Sequence, residues 1–136
     1  MTDLALPTQL ELINSPVGTL GIIEFSSLDF APARIYWLSN VPSGSERGHH
    51  AHKALSQLIC ILTGSVDIEV SAGNDKIVFH LGQGSNSLKL EPGLWRVLKN
   101  FSEDACVLVI CDQPYDESDY IRNFSEYLEW YAAKND

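Results

Sequence analysis

Apolar and polar residues alternate with a period of two over much of this chain. In Val66-Asp67-Ile68-Glu69-Val70 the apolar residues fall on one face and the acids on the other. That is the pattern of a strand with one wet side. Cys60-Ile61-Leu62 has no polar partner and reads as buried on both faces. Short β-branched or aromatic runs recur at 19–25, 33–39, 55–63, 65–70, 76–81, 87–90, 94–99 and 105–111. Turn signals separate them: Pro16-Val17-Gly18, Pro42-Ser43-Gly44, Thr63-Gly64-Ser65, Ala72-Gly73-Asn74-Asp75 and Pro92-Gly93. A strand roughly every ten residues predicts an antiparallel sandwich or barrel. The period then changes. Tyr120, Phe124, Tyr127, Leu128 and Tyr131 recur at helical spacing after Ser118, which is suited to an N-cap. The pattern predicts a terminal helix over 118–133, with its aromatic face on the barrel or on a second subunit.

Composition narrows the setting. The 136 residues, 45% of them hydrophobic, predict one domain over 1–136 with a real core. No apolar run of about 18 residues predicts a membrane span. Met1-Thr2-Asp3-Leu4 has neither the basic nor the apolar region of a secretion signal. Cys60, Cys106 and Cys111 are odd in number and lie in apolar runs, as reduced core residues of a cytoplasmic protein would. A net charge of −9 argues against general nucleic-acid binding. It leaves room for one basic pocket that takes an anionic small molecule.

Candidate chemistry is concentrated in Arg47-Gly48-His49-His50-Ala51-His52-Lys53, which holds three of the four histidines. Residues two apart on a strand share a face, so His50 and His52 form a pair and His49 points away. Such a pair is either a metal site or an acid–base pair. The spacing resembles the first cupin motif, H-x-H-x(4)-E-x(6)-G, but Gln57 stands at the carboxylate position and Gly64 at the turn. Where the second cupin motif has its histidine, after Pro92-Gly93, the chain has Arg96, followed by Asn100. Zinc and iron sites need about three imidazole, carboxylate or thiolate ligands. Two histidines, an amide and a permanently charged guanidinium are a poor set. The reading is therefore no metal and no other cofactor. Two imidazoles with a reference pKa of about 6.5 remain, and neighbouring cations would hold them neutral and basic. His80 stands alone in its run and reads as structural. Arg34 and Tyr36 share a face of one strand. With Arg47 they suit a diphosphate, which guanidinium groups bind through paired hydrogen bonds.

Three stretches carry a family resemblance. Arg47-Gly48-His49-His50-Ala51-His52-Lys53 resembles the R-G-x-H-A-H-K signature of the dTDP-4-keto-6-deoxyglucose 3,4-ketoisomerases. Tyr115-Asp116-Glu117-Ser118-Asp119-Tyr120-Ile121-Arg122 resembles the stretch that opens their last helix, and Arg34-Ile35-Tyr36-Trp37 is similar to one of their strands. The resemblance covers residues 14–132. It implies an all-β, cupin-type (jelly-roll) antiparallel barrel with a C-terminal helix. It implies a homodimer with exchanged N-terminal strands, and a dTDP-linked 4-keto-6-deoxy sugar as substrate. The implied reaction moves the ketone from C4 to C3 through an enediol, for 3-amino-3,6-dideoxy sugars of lipopolysaccharide or S-layer glycans. Carried over residue by residue, His50 and His52 are catalytic, and Arg34, Tyr36 and Arg47 face the substrate; Lys53, Gln57 and Arg96, which flank the histidine pair or stand at the lost ligand positions, are further substrate-binding candidates. On this reading His50 is the base at C3, and His52 shuttles protons to or from the oxygens or C4.

The chain departs from the pattern twice. Asn14-Ser15-Pro16-Val17-Gly18 lacks an arginine the family often has before its first core strand, and His49 stands in place of a bulkier aromatic. Two other readings stay open. One is a 3,5-epimerase, which should show a histidine–carboxylate dyad that the sequence does not reveal. The other is a non-catalytic sugar-binding cupin.

Overall fold

The computed structural model describes residues 4–136. The strands are β1 (Ala5–Thr8), β2 (Glu11–Ser15), β3 (Gly18–Ile22), β4 (Arg34–Ser39), β5 (Arg47–His52), β6 (Gln57–Thr63), β7 (Val66–Ala72), β8 (Asp75–Leu81), β9 (Ser87–Leu90), β10 (Trp95–Lys99), β11 (Cys106–Cys111) and β12 (Tyr120–Ile121), followed by helix α1 (Phe124–Lys134). They form two five-stranded antiparallel sheets, in the orders β1-β9-β6-β11-β4 and β12-β5-β10-β7-β8, plus the separate hairpin β2-β3. Inward residues of both sheets meet in one core, among them Ile59, Ile68, Val70, Leu88, Val107 and Val109. The result is a cupin-like jelly roll. The sheets are not closed into a continuous barrel, and one end stays open.

Alternation works as the pattern predicts on β7. Val66, Ile68 and Val70 are buried, while Glu69 meets Lys99 at 2.7 Å and Asp67 meets His80 at 2.7 Å across the neighbouring strands. His80 is thus structural, but it is not alone. Leu62 departs from the expected two-sided burial. Cys60 and Ile61 are buried, whereas Leu62 is 51% exposed where β6 runs past the core.

The terminal helix is shorter than expected and starts later. Asp116 caps a 3₁₀ turn over Glu117–Asp119, accepting the Ser118 N–H at 3.0 Å. Tyr120 and Ile121 then pair with His52 and Ala51 as an edge strand. Only after this does Asn123 cap α1 by accepting the Glu126 N–H at 3.0 Å. Ser118 is therefore not the helix cap, and Tyr120 belongs to the sheet. Local hydrogen bonding and strand pairing outcompete helical periodicity here.

The aromatic face of α1 packs on the outer face of the β12-β5-β10-β7-β8 sheet, against Ala51, Trp95 and Val97. Tyr127 is fully buried. Its hydroxyl lies 2.8 Å from the Gly93 carbonyl and 3.0 Å from that of Ser71, and it accepts the Gly73 N–H at 3.1 Å. Each of these backbone groups would cost about 1–3 kcal/mol if left buried and unpaired. The helix thereby locks the turns that follow β7 and precede β10.

Candidate active site

Ala51 and Trp95 face the helix, so their neighbours in sequence, His50, His52 and Arg96, face the interior. A bulge sets the histidines. Arg96 pairs with His50 and Val97 with Gly48, leaving His49 as the extra residue at φ 53°. His49 turns outward to Glu46 at 3.0 Å, as the alternation predicts. Gly48 sits at φ 97°, and a Cβ there would come 3.0 Å from the Arg96 carbonyl oxygen. Only glycine lets the two backbones approach this closely. The bulge also brings the Gly48 carbonyl within 3.1 Å of His50 Nδ1.

The two histidines meet edge to face, with ring centroids 4.9 Å apart. Tyr120 covers both, at 5.0 Å from His50 and 4.4 Å from His52. A carbonyl only accepts, so His50 donates from Nδ1 and its Nε2 carries the lone pair. That Nε2 is shielded from water and has no hydrogen-bond partner. Burial first, and then the Arg96 charge, push the His50 pKa down to about 3. The same causes, in the same order, take His52 to about 2. Both imidazoles are neutral at pH 7.

His52 differs from His50 in access. It is fully buried and does not line the cavity. Its Nδ1 lies 3.0 Å from Asp119 Oδ2, and Asp119 Oδ1 accepts the Ala54 N–H at 2.8 Å. This is a histidine–carboxylate dyad between residues 67 apart in sequence. Sequence reasoning missed it. Asp119 lies within the Tyr-Asp-Glu stretch, which helical periodicity assigns to the terminal helix, whereas it sits in the turn before β12.

The cavity is about 310 Å³ and lies between the two sheets, with walls from β4, β6 and β11 on one side and β5 and β10 on the other. All four arginines of this acidic chain line it: Arg34, Arg47, Arg96 and Arg122. His50, Tyr36, Gln57 and Tyr120 complete its polar surface. Arg122 was not among the expected site residues. Its guanidinium lies 4.1 Å from the Tyr120 ring centroid and is held by Glu117 at 3.0 Å. Arg34 lies over Tyr36 and Tyr115, at 5.3 and 5.4 Å from their ring centroids. Lys53 is the expected site residue that the fold does not bring in. It lies past the end of β5, exposed, with its backbone N–H on the Asp119 carbonyl.

Arg96 is 2% exposed and has no carboxylate partner among the described residues. It donates to Gln57 Oε1 and, at 3.2 Å, to the Leu94 carbonyl, while its Nε is unpaired. An unneutralised buried cation costs several kcal/mol. Such a cost makes sense where a ligand anion supplies the missing charge. No group of three or more His, Cys, Asp or Glu side chains among the described residues is placed to hold a metal ion.

The chain matches the family model described as "FdtA: WxcM-like, C-terminal" over residues 5–132. It is 30% identical over 125 residues to the TDP-4-oxo-6-deoxy-alpha-D-glucose-3,4-oxoisomerase of Aneurinibacillus thermoaerophilus, covering 92% of this chain and 90% of that one. It superposes with a TM-score of 0.91 on QdtA, a sugar 3,4-ketoisomerase from Thermoanaerobacterium thermosaccharolyticum solved with TDP, at 30% identity and 98% coverage of both chains. A 3'-monoepimerase from Streptomyces bikiniensis, ChmJ, shares the fold at a TM-score of 0.76 but only 15% identity. The match over nearly the whole chain, on a site with this histidine pair and arginine set, places the protein in the FdtA family of TDP-sugar 3,4-ketoisomerases.

Proposed function

We infer that the protein moves the ketone of a dTDP-linked 4-keto-6-deoxyhexose from C4 to C3, using its own side chains as acid and base. One observation carries this reading. A neutral histidine with an unpaired Nε2 lone pair, His50, lies in the wall of a cavity lined by every arginine of the chain. The arginines supply the charge for a diphosphate, and His50 supplies the base for an acidic C–H bond.

The hydrogen at C3 is α to the C4 ketone. His50 Nε2 takes it as a proton, and the electron pair moves through C3=C4 onto O4. The product of this step is an enediolate with a hydroxyl at C3 and an oxyanion at C4. Arg96, buried at the cavity wall, offers fixed positive charge where this oxyanion develops. Tyr36 lies at the same wall, and burial raises its pKa, so it stays a phenol able to donate. A proton passes from O3 to O4, the His50 imidazolium returns a proton to C4, and the carbonyl reforms at C3, leaving His50 neutral for the next turnover. No electrons enter or leave, so no redox partner is needed.

The structure supports giving the oxygen-side proton transfer to Tyr36 rather than to the buried His52. The His52–Asp119 dyad does not favour epimerisation, because neither residue lines the cavity. Incubation with dTDP-4-keto-6-deoxyglucose and a chelator in D2O, followed by NMR, should show the carbonyl arriving at C3. Absence of a C3-keto product would sink the reading, and sensitivity to the chelator would revive a metal.

The working form is proposed to be a homodimer built through the N-terminal strands. The hairpin β2-β3 stands apart from both sheets with Leu12, Ile13 and Leu20 exposed. Strand β4 has one free edge and exposes Trp37 at 63%. An apolar hairpin and an open edge are sites for pairing with a second chain. Light scattering should give twice the 15.1 kDa chain mass. A value at the chain mass would remove the proposal.

A further inference from the structure

Gln57 is buried at the centre of the site and touches four groups. Its Oε1 accepts from Arg96. Its Nε2 lies 3.2 Å from Tyr36 Oη, 3.5 Å from His52 Nε2 and 3.5 Å from Cys111 Sγ. Amide orientation is ordinarily ambiguous, because oxygen and nitrogen look alike. Here one neighbour removes the ambiguity. A guanidinium can only donate, so the oxygen must face Arg96 and the NH₂ must face the other three.

The direction of every neighbouring hydrogen bond then follows. His52 Nε2 must accept, so its proton sits on Nδ1, where Asp119 receives it. The carboxylate alone would demand the same tautomer, so the two constraints agree. Tyr36 Oη accepts from the amide, which leaves the phenol's own proton free for the cavity it lines. His52 in turn packs edge-on against His50 and fixes the ring that carries the free lone pair.

We propose that Gln57 is a positioning residue: clamped by Arg96, it sets the hydrogen-bond direction of the whole site, holding His52 in its Nδ1–H tautomer and making Tyr36 a donor toward the substrate. It is not a contact that binds the sugar nucleotide. The position that a metal cupin would fill with a carboxylate ligand here holds the one side chain that can accept from Arg96 and donate to both Tyr36 and His52. Glutamate could do only the first.

The inference rests on the ketoisomerase reading for its kinetic test but not for its spectroscopic one. In wild-type protein labelled with ¹⁵N-histidine, NMR at pH 7 should find His52 neutral and protonated on Nδ1. A cationic His52, or one protonated on Nε2, overturns the proposal without any variant being made. In Gln57→Glu the carboxylate accepts from both neighbours, so His52 should gain an Nε2 proton in the same spectrum. The turnover kcat should fall by roughly 100-fold, as misplacing a catalytic group does, with KM within about threefold. Gln57→Met, which removes the clamp without reversing it, should lose kcat but not protonate His52. A rise in KM at unchanged kcat would make Gln57 a substrate contact and refute the positioning role. If wild type itself makes no C3-keto sugar, the ketoisomerase reading fails while the tautomer result still stands or falls alone.

Discussion

Replacing His50 by asparagine is expected to lower kcat by about 100- to 10,000-fold, the usual contribution of a positioned acid–base group. That corresponds to about 3–5 kcal/mol of lost transition-state stabilisation. Asparagine is the suitable change because it keeps a side-chain N–H near the Gly48 carbonyl, where His50 Nδ1 now donates at 3.1 Å. The fold and the tyrosine cover over the site should therefore survive. TDP binding should stay within a few-fold of wild type, since on the proposed reading Arg34, Arg47 and Arg122, and not the imidazole, hold the diphosphate. The discriminating measurement is exchange of the C3 hydrogen with D2O, read by NMR. It should disappear with turnover, because it needs only the first proton removal. Undiminished exchange at C3 would mean that another group is the base. Retained turnover would favour the reading of the pair as a non-catalytic remnant.

The second large effect is on stability against pH. His50 and His52 are held neutral, with pKa values of about 3 and about 2, by burial and by Arg96. In the unfolded chain both return to about 6.5. Between those limits the unfolded state binds more protons than the folded one, so stability rises with pH and is lost as pH falls below about 6.5. Two such groups remove about 4 kcal/mol between pH 7 and pH 5. That is a large share of a typical domain stability of about 5–15 kcal/mol. Urea unfolding at pH 7, 6 and 5 should show this loss, and His50→Asn should halve its slope. Activity per folded molecule should stay level over the same range, because the folded His50 remains neutral. A stability profile that is flat from pH 7 to 5 would contradict the assignment of two buried neutral histidines.

Both effects trace to Arg96. A guanidinium that is buried without a carboxylate lowers the pKa of both histidines and donates to Gln57, and in the proposed mechanism it meets the developing oxyanion. In that mechanism the free protein bears a cost in stability that the bound transition state recovers. This is the pattern expected when a site is complementary to the transition state rather than to the resting protein.

Some of this was legible along the chain. Short β-branched and aromatic runs between turn signals placed β3, β4 and β6 through β11 within a few residues of their observed bounds, and the H-x-H spacing implied β5 without fixing its ends. Period-two alternation paired His50 with His52 and turned His49 outward. The substitutions at Gln57 and Arg96 pointed away from a metal on donor chemistry alone. Strands β1 and β2 were not anticipated. Pro7 lies within the first, and neither carries a continuous apolar face of its own.

Other features exist only in three dimensions. Tyr120 fits a helical period, yet it serves as the edge strand that roofs both imidazoles, because pairing with His52 and capping by Asp116 decide the local backbone. Asp119 meets His52 across 67 residues, and Arg122 joins three arginines from other strands, which no local pattern can express. Lys53, adjacent to the motif, falls outside the site because the strand ends at His52. Spacing and side-chain type, read along the chain, sufficed for most of the core strands and for the pairing of His50 with His52. Only the folded chain shows that His50 keeps an unpaired Nε2 in the cavity wall while His52 is buried against Asp119. Those properties depend on burial and on donors and acceptors contributed by strands distant in the chain.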